Sequence, residues 1–182
     1  MSKTNDMKIK LLVLLLPSLL FVIGCSRNSG EKEETTFRQL KYKKRISDSK
    51  KKGLFLDLEE ATFENYDFKS VLYTGIQSQL MIMSLESGED IGWKTYKRSD
   101  QFVYIESGSG TCLVNDEAYE VEENDAVFIP AGARHNILNN NDTMELKLFV
   151  ISSRPIHKDK ISRSTKEEAR EKGDYFDGET TE

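Results

Sequence analysis

The residues able to do chemistry are few. Two histidines, His135 and His157, and two cysteines, Cys25 and Cys112, are all that the 182 residues hold. That count excludes a four-cysteine zinc framework and a multi-disulfide scaffold. It also excludes a site of three histidines. A mixed zinc site of two Cys and two His would consume every such residue in the chain. The net charge of −5, from 26 Lys+Arg against 31 Asp+Glu, argues against general nucleic-acid binding, and no nucleic-acid partner is expected. One domain is the default for this length. Hydrophobic content of 37% is low and charged content of 31% is high, so part of the chain lies outside any packed core.

The first such part is residues 1–24. Lys3, Lys8 and Lys10 precede an apolar run from Leu11 to Ile23, broken only by Pro17 and Ser18. The run suits the apolar region of a signal peptide and is short for a transmembrane helix, which needs about 20 apolar residues. It ends in Val22-Ile23-Gly24-Cys25, which resembles the lipobox of bacterial lipoproteins. The resemblance implies cleavage before Cys25 and lipidation of that residue. The expected partner is then the membrane, through the lipid anchor. The expected location is the cell envelope, on the periplasmic or extracytoplasmic side. Two or three acyl chains anchor far better than one. Cys112 is then the only Cys not used by the anchor, so no intrachain disulfide is expected. It lies in an alternating apolar run and reads as a buried thiol.

Residues 25–52 read as a lipid-anchored basic linker. Residues 26–52 carry ten Lys+Arg against four Asp+Glu, a charge of +6, with little apolar periodicity. This composition suits a disordered tether. Residues 53–182 carry 13 basic against 26 acidic residues, a charge of −13. From Gly53 the pattern changes to short strands. Leu80–Met83, Gln101–Ile105, Gly110–Val114, Ala118–Val121, Ala126–Ile129, Arg134–Leu138 and Leu146–Ile151 each read as one. Asn115-Asp116 joins the third and fourth as a hairpin. The class is all-β, a sandwich or barrel. No helix of useful length is expected between Gly53 and Ser153. Ser164 to Lys172 reads as a short C-terminal helix, capped by Ser164 with Glu167. Residues 173–182 read as a frayed acidic tail.

Two spaced motifs resemble those of the small single-domain bacterial cupins. The first, Gly88 to Gly108, runs G-EDIGW-KTY-KRSD-Q-FVYIES-G. The second, Asn124 to Asn139, runs N-DAVFI-PAG-AR-H-NIL-N. The likeness extends through Val71–Leu85, Asp100-Gln101-Phe102, Arg154-Pro155-Ile156-His157 and Thr165-Lys166. It implies a cupin jelly-roll barrel over residues 53–162, with residues 163–182 as helix and tail.

In metal-binding cupins four positions of these motifs hold the ion. Here they are Lys94, Tyr96, Gln101 and His135, and only His135 is a usual strong ligand. An ammonium repels a dication, and a phenol must lose a proton to coordinate well. No cofactor is therefore expected, a divalent transition metal being the alternative. Family geometry points the four side chains into one cavity. Trp93, Tyr104 and Asn139 lie nearby, with strand alternation turning some of them outward. Three readings follow. In the first, the barrel binds a small polar or anionic molecule, Lys94 pairing with a carboxylate or phosphate while Tyr96 and Gln101 bond hydroxyls. In the second, His135 as base and Tyr96 as acid serve an isomerase or epimerase acting on a sugar or keto acid, or the site is a weak metalloenzyme. In the third, the domain is a structural module, a homodimer held at the envelope. His157, beyond both motifs, is expected at the surface or a dimer contact.

Overall fold

The computed structural model describes residues 53–181. The proposed leader, Cys25 and the basic linker lie outside the described residues. Ten strands form two antiparallel sheets. In chain order they are β1 (Lys69–Thr74), β2 (Ser78–Leu85), β3 (Lys94–Thr95), β4 (Asp100–Ser107), β5 (Ser109–Val114), β6 (Glu117–Glu122), β7 (Ala126–Ile129), β8 (Arg134–Leu138), β9 (Leu146–Ser153) and β10 (Ser162–Arg163). One sheet runs β10-β1-β2-β9-β4-β7 and the other β3-β8-β5-β6. This is the expected all-β jelly roll.

Alternation explains the layering. In β4, Gln101, Val103 and Ile105 point inward and are buried, while Phe102 and Tyr104 stay partly exposed. Val103 pairs with Val150 and Ile105 with Leu148, so each interior layer repeats across neighbouring strands. Met81, Met83, Leu85, Leu146 and Leu148 meet Cys112, Val121 and Ile137 of the facing sheet. Cys112 is 1% exposed, as its alternating run implied. Burial pushes its thiol up to about 11.

Two glycines let the sheets close. A Cβ on Gly110 would lie 2.2 Å from the Leu138 carbonyl oxygen, and one on Gly108, where φ is 91°, would lie 2.4 Å from that of Glu145. Asn124 stands where the motif carries Gly, and it takes a φ of 72°. Asn tolerates this left-handed region better than other side-chain-bearing residues do.

Two elements escaped the sequence pattern, and two expectations need correction. A helix, α1 (Leu58–Phe63), lies inside the strand block, capped by Asp57, whose carboxylate accepts from the Glu60 amide at 3.1 Å. It is too short to show a period. It forms where Leu54, Leu56 and Leu58 cover Leu72 and Ile82 on the outer sheet face. The strand β1 escaped the pattern because a charged residue, Lys69, points inward. The C-terminal helix, α2, spans Lys166–Glu171, and its cap is Thr165 rather than Ser164. Thr165 Oγ1 accepts from the Glu168 amide at 3.2 Å, and Glu168 accepts from the Ser164 amide at 3.0 Å. The acidic tail is packed rather than frayed. Asp174 is 6% exposed, and its carboxylate takes Lys69 Nζ at 3.3 Å and Arg163 Nη2 at 2.5 Å. Thr181 exchanges bonds with Thr74: its amide donates to the Thr74 carbonyl at 2.8 Å, and its Oγ1 accepts from the Thr74 amide at 2.9 Å.

Candidate functional site

The two sheets enclose a cavity of about 1160 Å³, with α2 and residues 173–176 along its wall. Lys94, Tyr96, Gln101 and His135 all line it. The sheet register brings them together. β3 pairs with β8 so that Lys94 lies opposite His135. The Gly132 amide donates to the Tyr96 carbonyl at 2.9 Å, tying the Pro130-Ala131-Gly132 turn to the segment after β3. Gln101 sits one strand layer above Val103, 5% exposed, with Nε2 3.4 Å from Ser152 Oγ.

His135 has a defined tautomer. It is 2% exposed, and Nδ1 lies 3.1 Å from the Ala133 carbonyl. A carbonyl only accepts, so Nδ1 carries the proton and Nε2 keeps its lone pair. Burial lowers its pKa, and the Lys94 charge adds to the effect. Tyr96 packs beside it, ring centroids 5.6 Å apart. Burial, reinforced by Tyr175, pushes the Tyr96 phenol up to about 12, so it is a proton donor at neutral pH. Lys94 is lowered by burial and then by the charges of Lys166 and Arg170.

Of the flanking residues, only Trp93 lines the cavity. It carries the Arg134 guanidinium 3.7 Å over its ring. Tyr104 points outward and donates to Asn124 Oδ1 at 3.0 Å. Asn139 is a buried staple: its Nδ2 donates to the carbonyls of Leu85 at 2.9 Å and Met144 at 2.8 Å.

His157 is partly buried rather than fully exposed. It lines the same cavity, edge-on to Tyr96 at 6.5 Å between centroids. The cause is Gln79, 2% exposed, which grips the exit segment by its backbone. Gln79 Nε2 donates to the His157 carbonyl at 2.7 Å, and Oε1 accepts from the His157 amide at 3.0 Å. A bridge from His157 to Tyr175 then closes the segment against the tail. Burial, reinforced by the Lys69 charge, lowers the His157 pKa to about 3, so its imidazole is neutral.

A cationic rim also went unmarked in the sequence. Lys97, Arg98, Arg154, Lys166 and Arg170 join Lys94 on the cavity wall. Lys166 pairs with Asp90. Among the described residues, no ion pair engages Lys94, Lys97, Arg98, Arg154 or Arg170. These cations come from separate stretches of chain, around Lys94, at Arg154 and along α2, so no single local cluster marked them. Residues 53–182 carry −13 in total, so this concentration of positive charge on the cavity wall stands out against an acidic domain. No three His, Cys, Asp or Glu side chains converge as a metal-ligand group among the described residues.

Comparison with known proteins agrees with this architecture. The pattern described as "Cupin domain" matches residues 81–152. The protein YrkC of Bacillus subtilis is 33% identical over 130 residues, covering 68% of this chain and 69% of YrkC. The crystal structure of BH2720 from Bacillus halodurans is 32% identical, covers 66% of this chain and 95% of that one, and superposes with a TM-score of 0.64. TT1209 from Thermus thermophilus, 23% identical at a TM-score of 0.50, shares the fold over 56% of this chain and 98% of that one. The chain belongs to the cupin family.

Proposed function

We propose that this protein is an exported, lipid-anchored cupin that binds a small polar or anionic molecule in its barrel cavity without a tightly held metal. One observation carries the ligand class. Lys94 is half-buried, has no ion-pair partner among the described residues, and shares its cavity with unpaired Arg98, Arg154 and Arg170. Burying a charge without a partner is costly, and an incoming carboxylate or phosphate supplies one. Tyr96 and Gln101 then hydrogen-bond the rest of the ligand. The four motif positions do not fit a divalent ion. They offer one imidazole, one amide, a phenol held at about 12 and an ammonium. The anchor rests on Val22-Ile23-Gly24-Cys25 and the apolar run before it. It divides the chain into leader 1–24, anchored linker 25–52, cupin domain 53–162 and helix with tail 163–182, and sets the domain on the outer side of a membrane.

Thermal shift with carboxylates and sugar phosphates tests the binding. A ligand at about 100 times its Kd adds about 2.7 kcal/mol of stability. Lys94→Met should abolish that gain. No hit from any anion would favour the structural, homodimeric reading. Stoichiometric Mn, Fe, Ni or Zn in protein purified without chelator, lost in His135→Ala, would overturn the metal-free assignment. Labelled palmitate should enter the wild type and not Cys25→Ala; an unlabelled wild type removes the anchor.

The juxtaposition of His135 and Tyr96 supports the isomerase or epimerase as the second reading. His135 Nε2 would accept a proton from carbon beside a substrate carbonyl, and the Tyr96 hydroxyl would donate to the developing oxyanion. Deuterium uptake from solvent into a bound keto acid or sugar, lost in Tyr96→Phe with binding retained, separates catalysis from binding.

A further inference from the structure

The interior of the cavity is graded along the strands. Where Gln79 lies opposite Ser152 and Ser152 opposite Gln101, Gln101 is the member that lines the cavity. One step in, Met81 lies opposite Val150, and Val150 opposite Val103. Ile137 faces them from the other sheet and also lines the cavity. A further step in, Met83 still lines the cavity before Leu85 and Leu146 seal the barrel. Cations with no ion pair among the described residues therefore share the space with an apolar patch of unbranched, adaptable methionines, beside the Lys69–Asp174 pair. A fully hydroxylated ligand would leave hydroxyls unbonded against Met81 and Met83, which is costly for groups taken out of water. A ligand with an apolar body and a single anionic head satisfies both.

We propose that the cavity takes an amphipathic carboxylate, its apolar body seated on Met81, Met83, Val103 and Ile137 and its head held at the rim by Lys94. This rests on the anion-binding reading above and narrows it to one class. Trp93, the only tryptophan in the chain, lines the cavity and reports occupancy.

The test titrates the full chain with straight-chain carboxylates from butanoate to decanoate, following Trp93 fluorescence and confirming by calorimetry. Citrate and glucose 6-phosphate serve as polar anions, and decanol as a headless tail. Kd should fall about threefold to fourfold with each methylene until the floor is filled. Decanol should bind at least about tenfold more weakly than decanoate, the loss expected for a missing charge-assisted contact. Met83→Trp, read by calorimetry, should shorten the preferred chain without weakening butanoate, a result that general destabilisation would not give. Lys94→Met should erase the difference between decanoate and decanol. Binding of citrate or the sugar phosphate with no gain from chain length would overturn the amphipathic assignment and leave the anion-binding reading standing. Failure of every anion would overturn both.

Discussion

At the scale of single residues, burial keeps the bases of the cavity neutral. His157 shows the consequence most directly. Its imidazole titrates near 6.5 in the unfolded chain and is lowered to about 3 in the fold, with burial the leading cause. Below pH 6.5 the unfolded chain takes a proton that the native state refuses, so stability falls as pH drops from about 6.5 towards 3. At Asp174 burial opposes ionisation, but the bond from Arg163 and the charge of Lys69 outweigh it and lower the pKa. Its contribution is therefore lost in the same direction, as acid protonates it. His157→Gln removes only the first effect. Urea midpoints at pH 7 and pH 5 should therefore differ less in the variant, by an amount on the order of 1–2 kcal/mol in stability. An equal acid loss in both proteins would contradict the assigned state. The spacing of the two motifs was enough to mark Lys94, Tyr96, Gln101 and His135. It was silent on His157 and Lys69, because their places depend on a Gln79 clamp and a tail pairing that join positions about 80 to 105 residues apart.

At the scale of elements, period-two alternation was readable wherever an apolar residue pointed inward, as in β4, β5 and β9. It failed at β1, where Lys69 takes an inward position, and at α1, which is shorter than two turns. The shifted cap of α2 has a local reason. Ser164 and Thr165 are both competent caps, and Ser164 Oγ is already spent on Asp67 at 3.0 Å. The strand pairs tolerate no added bulk at their closest approach. Gly110→Ala drives a methyl into the Leu138 carbonyl between β5 and β8, and should cost about 3 kcal/mol. Gly75→Ala is the control: its Cβ would meet nothing nearer than 3.5 Å, and its effect should stay within about 0.5 kcal/mol. Urea unfolding of both variants makes the comparison, and equal losses would mean that β5 and β8 can part without cost.

At the scale of the whole molecule, the C-terminal segment is a structural part of the cavity wall. Acidic composition alone suggested a solvated tail, since the partners of Asp174 are scattered and carry no local signature. Lys69 is 6% exposed, and burial lowers its pKa despite Asp174. Breaking such a pair from one side leaves a buried charge, so Asp174→Asn should cost about 3–5 kcal/mol. The double variant Lys69→Met, Asp174→Leu should recover most of that loss. Hydrogen exchange at the Thr181 and Phe176 amides should rise in the single variant and fall back in the double. A single variant as stable as the wild type would show that the tail is not fastened through this pair.

The thiol of Cys112 gives the barrel an internal clock. It stands 1% exposed between the sheets, with its pKa raised to about 11, so it loses its proton to solvent and meets a thiol reagent only when the sheets part. In a Cys25→Ala background it is the single labelling point on the chain. Under conditions where reclosing outpaces modification, the labelling rate measures the free energy of opening, and any molecule that occupies the cavity should slow that rate by the factor 1 + [L]/Kd.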